Sequence, residues 1–326
     1  MSEYLDNKQL FSSPKVGQYN NHMVMTNVVK PEKKKYIFFD TKFCDENHRS
    51  NQLSSDYNFT LSDRLTDVKT ISVVNAEVPM SFYNISNSLG NNYFQVTTDS
   101  SNIMVIIPDG QYTIATLSTA INNQLINFVS SSNKVTYGSF VANNTSFFYA
   151  SPGGRFTINF AVDKTGNFDK FNLKSKLGWL LGFRNITYIV NGTAISDLTL
   201  SSSIPTTHLE KCVISEAVIN MYPIRYLFLA VDELCNGNQE SFISLLPKSR
   251  INKNIIAKIC IDSNFYPYGT ILNVNIHTGL LTSDTRTYTG NKVDIQKLNI
   301  QLLDDRGNPI NLNGLDFSFG VKIDYE

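Results

Sequence analysis

The strongest constraint on the fold is a strict alternation of apolar and polar residues near the end of the chain. Six apolar residues occupy every second position: Leu315, Phe317, Phe319, Val321, Ile323 and Tyr325. A shorter alternation over Leu298, Ile300 and Leu302 precedes it, and the turn sequence Asp304–Pro309 lies between the two. Because successive side chains of a β-strand point to opposite faces, a period of two predicts half-buried strands. We therefore predict a closing β-hairpin whose second strand, of about ten residues, runs to the end of the chain.

Short strand patterns recur along the rest of the chain, between clusters of Asn, Gly, Pro and Ser. The clearest are Tyr36–Phe39, Val68–Val78, Phe156–Phe160, Tyr226–Val231 and Ile255–Ile261. In Val68–Val78 the alternation slips by one residue between Val73 and Val74. A slip of this kind predicts a β-bulge.

Only two segments carry the period of an α-helix. Thr113 is the predicted N-cap of a helix with one apolar face, formed by Leu117, Ala120, Ile121, Leu125 and Phe128. Asn172 is the predicted N-cap of a shorter helix with Leu173, Leu177, Leu180 and Leu181. About a dozen strands without βαβ alternation predict an all-β fold, a single jelly roll or antiparallel β-sandwich with elaborated loops and these two short helices.

The domain organisation follows from where the strand patterns begin and pause. Residues 1–33 lack an apolar period and are predicted to form an extended N-terminal arm. Residues 34–326 are predicted to form one jelly-roll β domain with insertions. The alternative is two β subdomains, divided within the Ser- and Thr-rich stretch 191–210.

The charge balance limits the partners that the chain can attract. It carries 28 basic and 28 acidic residues, so the formal net charge is zero, and only 17% of the residues are charged. A neutral chain has no long-range field for nucleic acid or an anionic membrane, but its copies do not repel one another. No apolar run approaches the roughly 18 residues of a membrane span. We therefore expect no specific nucleic acid and no membrane span, and assembly with other protein surfaces is permitted.

Residues that could carry chemistry are sparse. No metalloprotease, nucleophile-elbow, Walker or dinucleotide-binding motif occurs, and a cupin metal site would need a His-x-His that the sequence lacks. Three short clusters are candidates: Cys44–His48 for a metal or redox site, Asp232-Glu233 for paired carboxylates, and Lys33–Lys35 for phosphate contact. Solvated loop charges, a strand end entering water and a solvated lysine run explain them more simply. We predict that the protein is not an enzyme and has no catalytic, cofactor-binding or metal site and no cofactor.

The four cysteines of the chain do not change this expectation. Cys44, Cys212, Cys235 and Cys260 are far apart and form no Cys-x-x-Cys pair. The sequence predicts free thiols rather than a disulfide framework.

Several blocks taken together resemble a known family. In chain order they are Tyr36–Thr41, Val68–Pro79, Phe82–Ile85, Ile107–Thr113, Leu177–Phe183, Tyr226–Glu233, Ile256–Ile259 and Leu298–Phe319. The chain from about residue 36 to 326 resembles the single jelly-roll penton and minor capsid proteins of large nucleocytoplasmic DNA viruses, the giant viruses.

The resemblance implies a structural capsid protein of an icosahedral double-stranded DNA virus. It implies most specifically the penton protein, a homopentamer at the five-fold vertices. The implied partners are further copies of the chain, the major capsid protein and other minor capsid proteins. The implied location is the virion, after assembly in the host cytoplasm.

Two alternatives stay open at this point. One is a minor capsid protein that cements the major capsomers. The other is a β-sandwich module of the virion that binds a receptor or carbohydrate.

Overall fold

The computed structural model describes residues 32–44, 55–98, 101–126, 134–151, 153–191, 212–234, 251, 254–288 and 293–326. The chain divides into two compact units. Unit 1 combines the chain up to Ser81 with Arg225–Glu326, and unit 2 is the continuous stretch Phe82–Ile224. Residues 1–31 of the predicted arm and almost all of the stretch 191–210 lie outside the described residues. The predicted domain boundaries therefore stay a prediction.

The regular elements are mostly strands. In chain order they are β1 Lys33–Asp40, β2 Asp56–Pro79, β3 Tyr93–Thr97, β4 Asn102–Ile106, α1 Ile114–Ile126, β5 Val135–Phe140, β6 Thr145–Ala150, β7 Arg155–Asn159, α2 Leu177–Leu180, β8 Thr187–Asn191, β9 Cys212–Val218, β10 Tyr226–Asp232, β11 Ile255–Cys260, β12 Ile271–Asn275, β13 Leu281–Ser283, β14 Arg286–Thr287, β15 Val293–Leu303 and β16 Ser318–Tyr325. All strand pairs are antiparallel. The predicted all-β class with antiparallel sheets and two short α-helices is confirmed, and the strand content is consistent with a jelly-roll sandwich.

Unit 1 is organised by the long strand β2. Its sheet runs β1-β16-β2-β15-β10-β11-β13, and β12 and β14 also pair with β2. At Val68 the strand pairs with Tyr325 of β16 on one edge and with Val293 of β15 on the other. Beyond this point the edge that β15 leaves is paired by β14 and then by β12. One strand of 24 residues therefore pairs with four others.

The predicted β-bulge in β2 is confirmed. Asn75 pairs with Gly320 and Val73 with Val321, so Val74 is the extra residue on β2. The bulge lets Val73 and Ala76 both be buried although they are three positions apart. An extra residue shifts the alternation and bends the strand locally.

The predicted closing hairpin is wrong in its pairing. Strand β15 pairs with β2 and β10, whereas β16 pairs with β1 and β2. After the turn the chain pairs with β15 only briefly, where Leu303 faces Pro309. Strand β2 lies between β15 and β16 because it is longer than either and pairs with each of them along most of that strand's length. Strand β16 is also shorter than predicted, since Leu315 precedes it and is exposed.

Unit 2 contains two small sheets and both helices. The sheets have the orders β4-β3-β7-β8 and β5-β6-β9. Within its core, a group of four phenylalanine rings has neighbouring centroids 5.3–6.4 Å apart: Phe94, Phe148, Phe160 and Phe183. Buried aromatic pairs at these separations contribute about 0.5–1.5 kcal/mol beyond their area.

The first helix is confirmed and the second is only partly so. Thr113 caps α1, because its Oγ1 accepts a hydrogen bond from the backbone N–H of Thr116. The predicted apolar face is buried at Leu117, Ile121 and Leu125 and half-buried at Ala120, whereas Phe128 lies outside the described residues. Asn172 does not cap α2. It has a positive φ of 56° and precedes a short 3-10 turn, and α2 begins only after Lys176. The 3-10 turn breaks the helical phase, so Leu173 is not part of the buried face.

Two turns with the same local chemistry connect adjacent segments. In Asp163–Asn167 and in Asp304–Asn308, the aspartate carboxylate accepts hydrogen bonds from backbone N–H groups two and four residues later. The fourth residue is a glycine with φ of +87° in both turns. A side chain at this position would strain the left-handed backbone, which explains the shared Asp-x-x-Gly-Asn sequence.

Within the described residues, no helix is long and apolar enough to cross a membrane.

We predict that Gly182→Ala strongly destabilises unit 2. Gly182 has φ of +94°, and an added Cβ would collide with the carbonyl oxygen of Ala217. The left-handed backbone costs about 1–2 kcal/mol for an alanine, and overpacking adds about 1–3 kcal/mol. Denaturant unfolding measures the sum. Gly153→Ala is the matched control, because Gly153 also has a positive φ but no atom within 4 Å of the added Cβ. Equal losses for the two variants would contradict the collision.

Candidate functional site

Of the first candidate cluster only Cys44 lies within the described residues, whereas the second cluster, Asp232-Glu233, is described in full. The buried Cys44 thiol donates to the carbonyl oxygen of Thr41 at 2.5 Å, and residues 45–48 lie outside the described part. Asp232 accepts a hydrogen bond from the backbone N–H of Leu234 at 2.9 Å. It does not share a site with Glu233, which is buried among other partners.

The environment of Glu233 differs from the solvated strand end that the sequence suggests. Its carboxylate accepts hydrogen bonds from the Arg286 guanidinium and the Tyr288 hydroxyl. Arg286 also donates to the carbonyl oxygens of Val231 at 2.9 Å and Asn254 at 3.1 Å. Burial and the neighbouring Glu233 carboxylate raise the pKa of Tyr288. The cluster is a buried ion pair that fastens β14 to the end of β10, and no sequence pattern pointed to it.

The lysine run forms the start of an edge strand. Lys33–Lys35 belong to β1, and Lys35 lies 3.7 Å from Asp63 across exposed surface. Lys33 lies 5.9 Å from the centre of the Tyr325 ring. Both contacts are weak and lie at an exposed surface, and the solvated lysine run stays a prediction.

The same strand exposes large aromatic side chains. Tyr36 is 57% exposed and Phe38 is 70% exposed, and both lie on the face of β1 opposite to the buried Phe39. Phe43, in the short helical turn after β1, is 78% exposed. We call Tyr36, Phe38 and Phe43 the β1 surface. Exposed rings on one face of an edge strand, as with Tyr36 and Phe38, are typical of a surface that another protein covers.

The backbone of β1 offers a second kind of contact. Among the described strands, β1 pairs only with β16 and forms one end of the nine-stranded sheet. The outer edge of such a strand presents N–H and C=O groups that a strand of another chain can pair with. The β1 surface therefore combines apolar rings with an edge suited to strand addition.

The blocks that carry the family resemblance are used for packing. In unit 2, the side chain of Asn84 bonds the backbone of Tyr112 in both directions at 2.8 Å and donates to the carbonyl oxygen of Met221 at 3.1 Å. Asp109 accepts from the backbone N–H of Asn87 and from the Asn92 side chain. These bonds hold together the blocks Phe82–Ile85 and Ile107–Thr113, which the sequence shows only as separate motifs.

No reactive constellation emerges from this part of the chain. Among the described residues, no three His, Cys, Asp or Glu side chains are grouped so that they could hold a metal ion. Of the four histidines only His277 is described, and its backbone N–H bonds Asn275.

Comparisons with known proteins give likenesses to solved structures. No protein-family model and no curated protein matches the chain. A solved structure that is similar to it is the crystal structure of the mavirus penton protein, with 8% sequence identity and a TM-score of 0.42 over 90% of this chain and 99% of that one. The resemblance to penton proteins stated from the sequence is confirmed as a resemblance. Values this low carry no conclusion about what the chain does.

We predict that Arg286→Met destabilises the protein by about 3–5 kcal/mol, because it leaves the buried Glu233 carboxylate without its cation. Denaturant unfolding is the measurement. Arg64→Met is the matched control, since it removes an ion pair with Asp294 that is largely exposed and costs less than about 1 kcal/mol. A similar small loss at both positions would show that the Glu233 cluster does not contribute as a buried pair.

Proposed function

We propose that this protein is a structural capsid protein of a large icosahedral double-stranded DNA virus, and specifically the penton protein that forms a homopentamer at the five-fold vertices. The observation that carries the proposal is that the sequence blocks resembling penton proteins serve the packing of this fold. These blocks supply strands, turns and buried contacts of the β framework: Tyr36–Thr41, Val68–Pro79, Ile107–Thr113 and Tyr226–Glu233. None of them forms a reactive site in the described residues. We therefore propose that the protein functions through its exposed surfaces, by contacts with other proteins.

The β1 surface supports assembly because it exposes apolar rings at the edge of a sheet. A closed ring of five copies needs heterologous contacts, in which one patch meets a different patch of the next copy. Aromatic residues are enriched in such interfaces, and each Å² of apolar surface removed from water contributes about 25 cal/mol. The zero net charge of the chain adds no long-range repulsion between copies. The predicted arm 1–33, whose last residue Lys33 begins the edge strand β1, belongs to the proposed assembly region.

The proposal includes partners and place. The proposed partners are further copies of the chain, the major capsid protein and other minor capsid proteins, and the proposed location is the virion after assembly in the host cytoplasm. A minor capsid protein that cements the major capsomers is the variant of this function in which the chain does not close a ring by itself.

We predict that the full-length protein is a pentamer by native mass spectrometry, and that Tyr36→Ser combined with Phe38→Ser dissociates it. Removing two large rings takes away the apolar area that favours association. Deletion of residues 1–31, which leaves β1 intact, is expected to weaken the pentamer as well.

The matched control is Tyr222→Ser combined with Phe265→Ser, which removes one exposed tyrosine and one exposed phenylalanine elsewhere. This variant is expected to remain pentameric. A pentamer that survives loss of Tyr36 and Phe38 contradicts the role of the β1 surface. If the unmodified protein is a monomer at high concentration, the penton assignment is contradicted. The minor capsid protein that cements the capsomers is then the variant of the proposal to test.

A further inference from the structure

Unit 2 carries a second exposed surface, which is basic as well as aromatic. Phe168 and Phe171 are 65% and 63% exposed, Lys170 is exposed near the Phe171 ring, and Arg184 is exposed beside the half-buried Trp179. We call these residues, together with Lys174, the basic aromatic surface. Residues 163–184 contain five basic residues and only two acidic ones, in a chain whose net charge is zero.

A buried lysine holds together the loop and the helix that carry this surface. Lys176 is 5% exposed, and its ammonium donates to the Asp169 carboxylate and to the carbonyl oxygen of Val162, both at 2.8 Å. The Lys176 hydrogen bond lowers the pKa of Asp169. The pair ties the loop that carries Phe168 and Phe171 to the start of α2, which carries Trp179. The exposed groups are thus held by buried contacts.

Arg184 is positioned over the indole ring. Its guanidinium carbon lies 4.1 Å from the Trp179 ring centre, and its Nη1 donates to the carbonyl oxygens of Trp179 and Phe183. The backbone N–H of Arg184 donates to Glu216 at 3.0 Å. Lys174 lies 5.9 Å from the centre of the same ring. Two cations are therefore placed around one indole before any partner binds, which reduces the entropy cost of binding.

The acidic residues of the segment do not neutralise these cations. The Asp163 carboxylate accepts hydrogen bonds from Thr165 and Asn167 within its own turn. Asp169 is paired with the buried Lys176. The Glu216 carboxylate, which accepts a hydrogen bond from the backbone N–H of Arg184, offsets part of the charge beside Arg184. The positive charge left for an anionic partner is therefore chiefly that of Lys170 and Lys174.

The chemistry of the surface favours a polypeptide over a sugar or a nucleic acid. Sugar recognition needs neutral and acidic groups that bond hydroxyls, but Asp163, Asn167 and Asp169 are engaged within the unit, and Asn185 bonds Glu216. Binding of single-stranded nucleic acid relies on stacking bases on a flat aromatic face, and the Arg184 guanidinium already lies over the Trp179 face, 4.1 Å from the ring centre. Carboxylates with apolar side chains between them match both the cations and the exposed phenylalanines.

We propose that the basic aromatic surface of unit 2 binds an acidic polypeptide segment of another protein, in which carboxylates alternate with apolar side chains. Its carboxylates pair with Lys170, Lys174 and Arg184, and its apolar side chains cover Phe168 and Phe171. This inference does not depend on the assembly role of the β1 surface.

The single tryptophan of the chain provides the test, because all intrinsic indole fluorescence comes from Trp179. The full-length protein is titrated with a synthetic peptide of alternating glutamate and leucine, and in parallel with a lysine–leucine peptide, heparin and a single-stranded oligonucleotide. We expect a saturable fluorescence change with the acidic peptide alone. Absence of this change, or saturable binding of heparin or the oligonucleotide without the acidic peptide, overturns the proposal.

Charge-reversal variants locate the binding. Lys170→Glu combined with Lys174→Glu is expected to weaken peptide binding about tenfold or more, since two attractive contacts become repulsive. Lys34→Glu combined with Lys297→Glu, which reverses two exposed lysines in unit 1, is the matched control and leaves binding unchanged. Equal affinities for the two variants overturn the assignment.

A measurement without peptide checks the charge of the surface separately. Iodide is expected to quench Trp179 fluorescence more strongly than caesium in the unmodified protein, because the local positive potential attracts the anion. The Lys170 and Lys174 reversals are expected to lower the ratio of iodide to caesium quenching, because this ratio falls as the local potential becomes less positive. Stronger quenching by caesium in the unmodified protein overturns the proposal, since the potential it requires is then absent.

Discussion

Unit 1 depends on the antiparallel pairing of one long strand. Strand β2 forms hydrogen bonds along both edges near Val68, and every other part of the large sheet is reached through its neighbours β15, β16, β12 and β14. An interior strand of this length satisfies many backbone groups at once, so its register fixes which side chains of the adjoining strands are buried. The bulge at Val74 is the adjustment that keeps apolar residues buried on both sides of it.

Unit 2 uses a different balance of forces. Its sheets are small, and a cluster of phenylalanine rings with α1 supplies the core. Its polar side chains act as fasteners: Asn84 joins two loops, and Lys176 joins a loop to α2. Buried polar groups of this kind are stable only when they are fully bonded, and they give loops a single conformation. This rigidity gives the basic aromatic surface a definite geometry.

The two surfaces discussed for this protein differ in their physics. The β1 surface is apolar and lies at the edge of a sheet, and it suits contacts that exclude water and extend β pairing. The basic aromatic surface positions cations with aromatic rings, and it suits an acidic partner whose affinity depends on salt. A protein with no net charge can carry both, because the positive charge is local.

By itself, the sequence determined the local features. The period of two predicted buried strand faces, the slip at Val73 and Val74 predicted the bulge, and Thr113 predicted the start of α1, because each depends on interactions over only a few residues. The resemblance was also visible in the sequence blocks. Only the tertiary structure decided that β2 lies between β15 and β16, that Glu233 is buried against Arg286, and that Arg184 covers Trp179 beside the loop held by Lys176. The physical reason is that alternation specifies which face of a strand is buried but not which strand pairs with it, and partners such as Glu233 and Arg286 meet only after distant segments have packed.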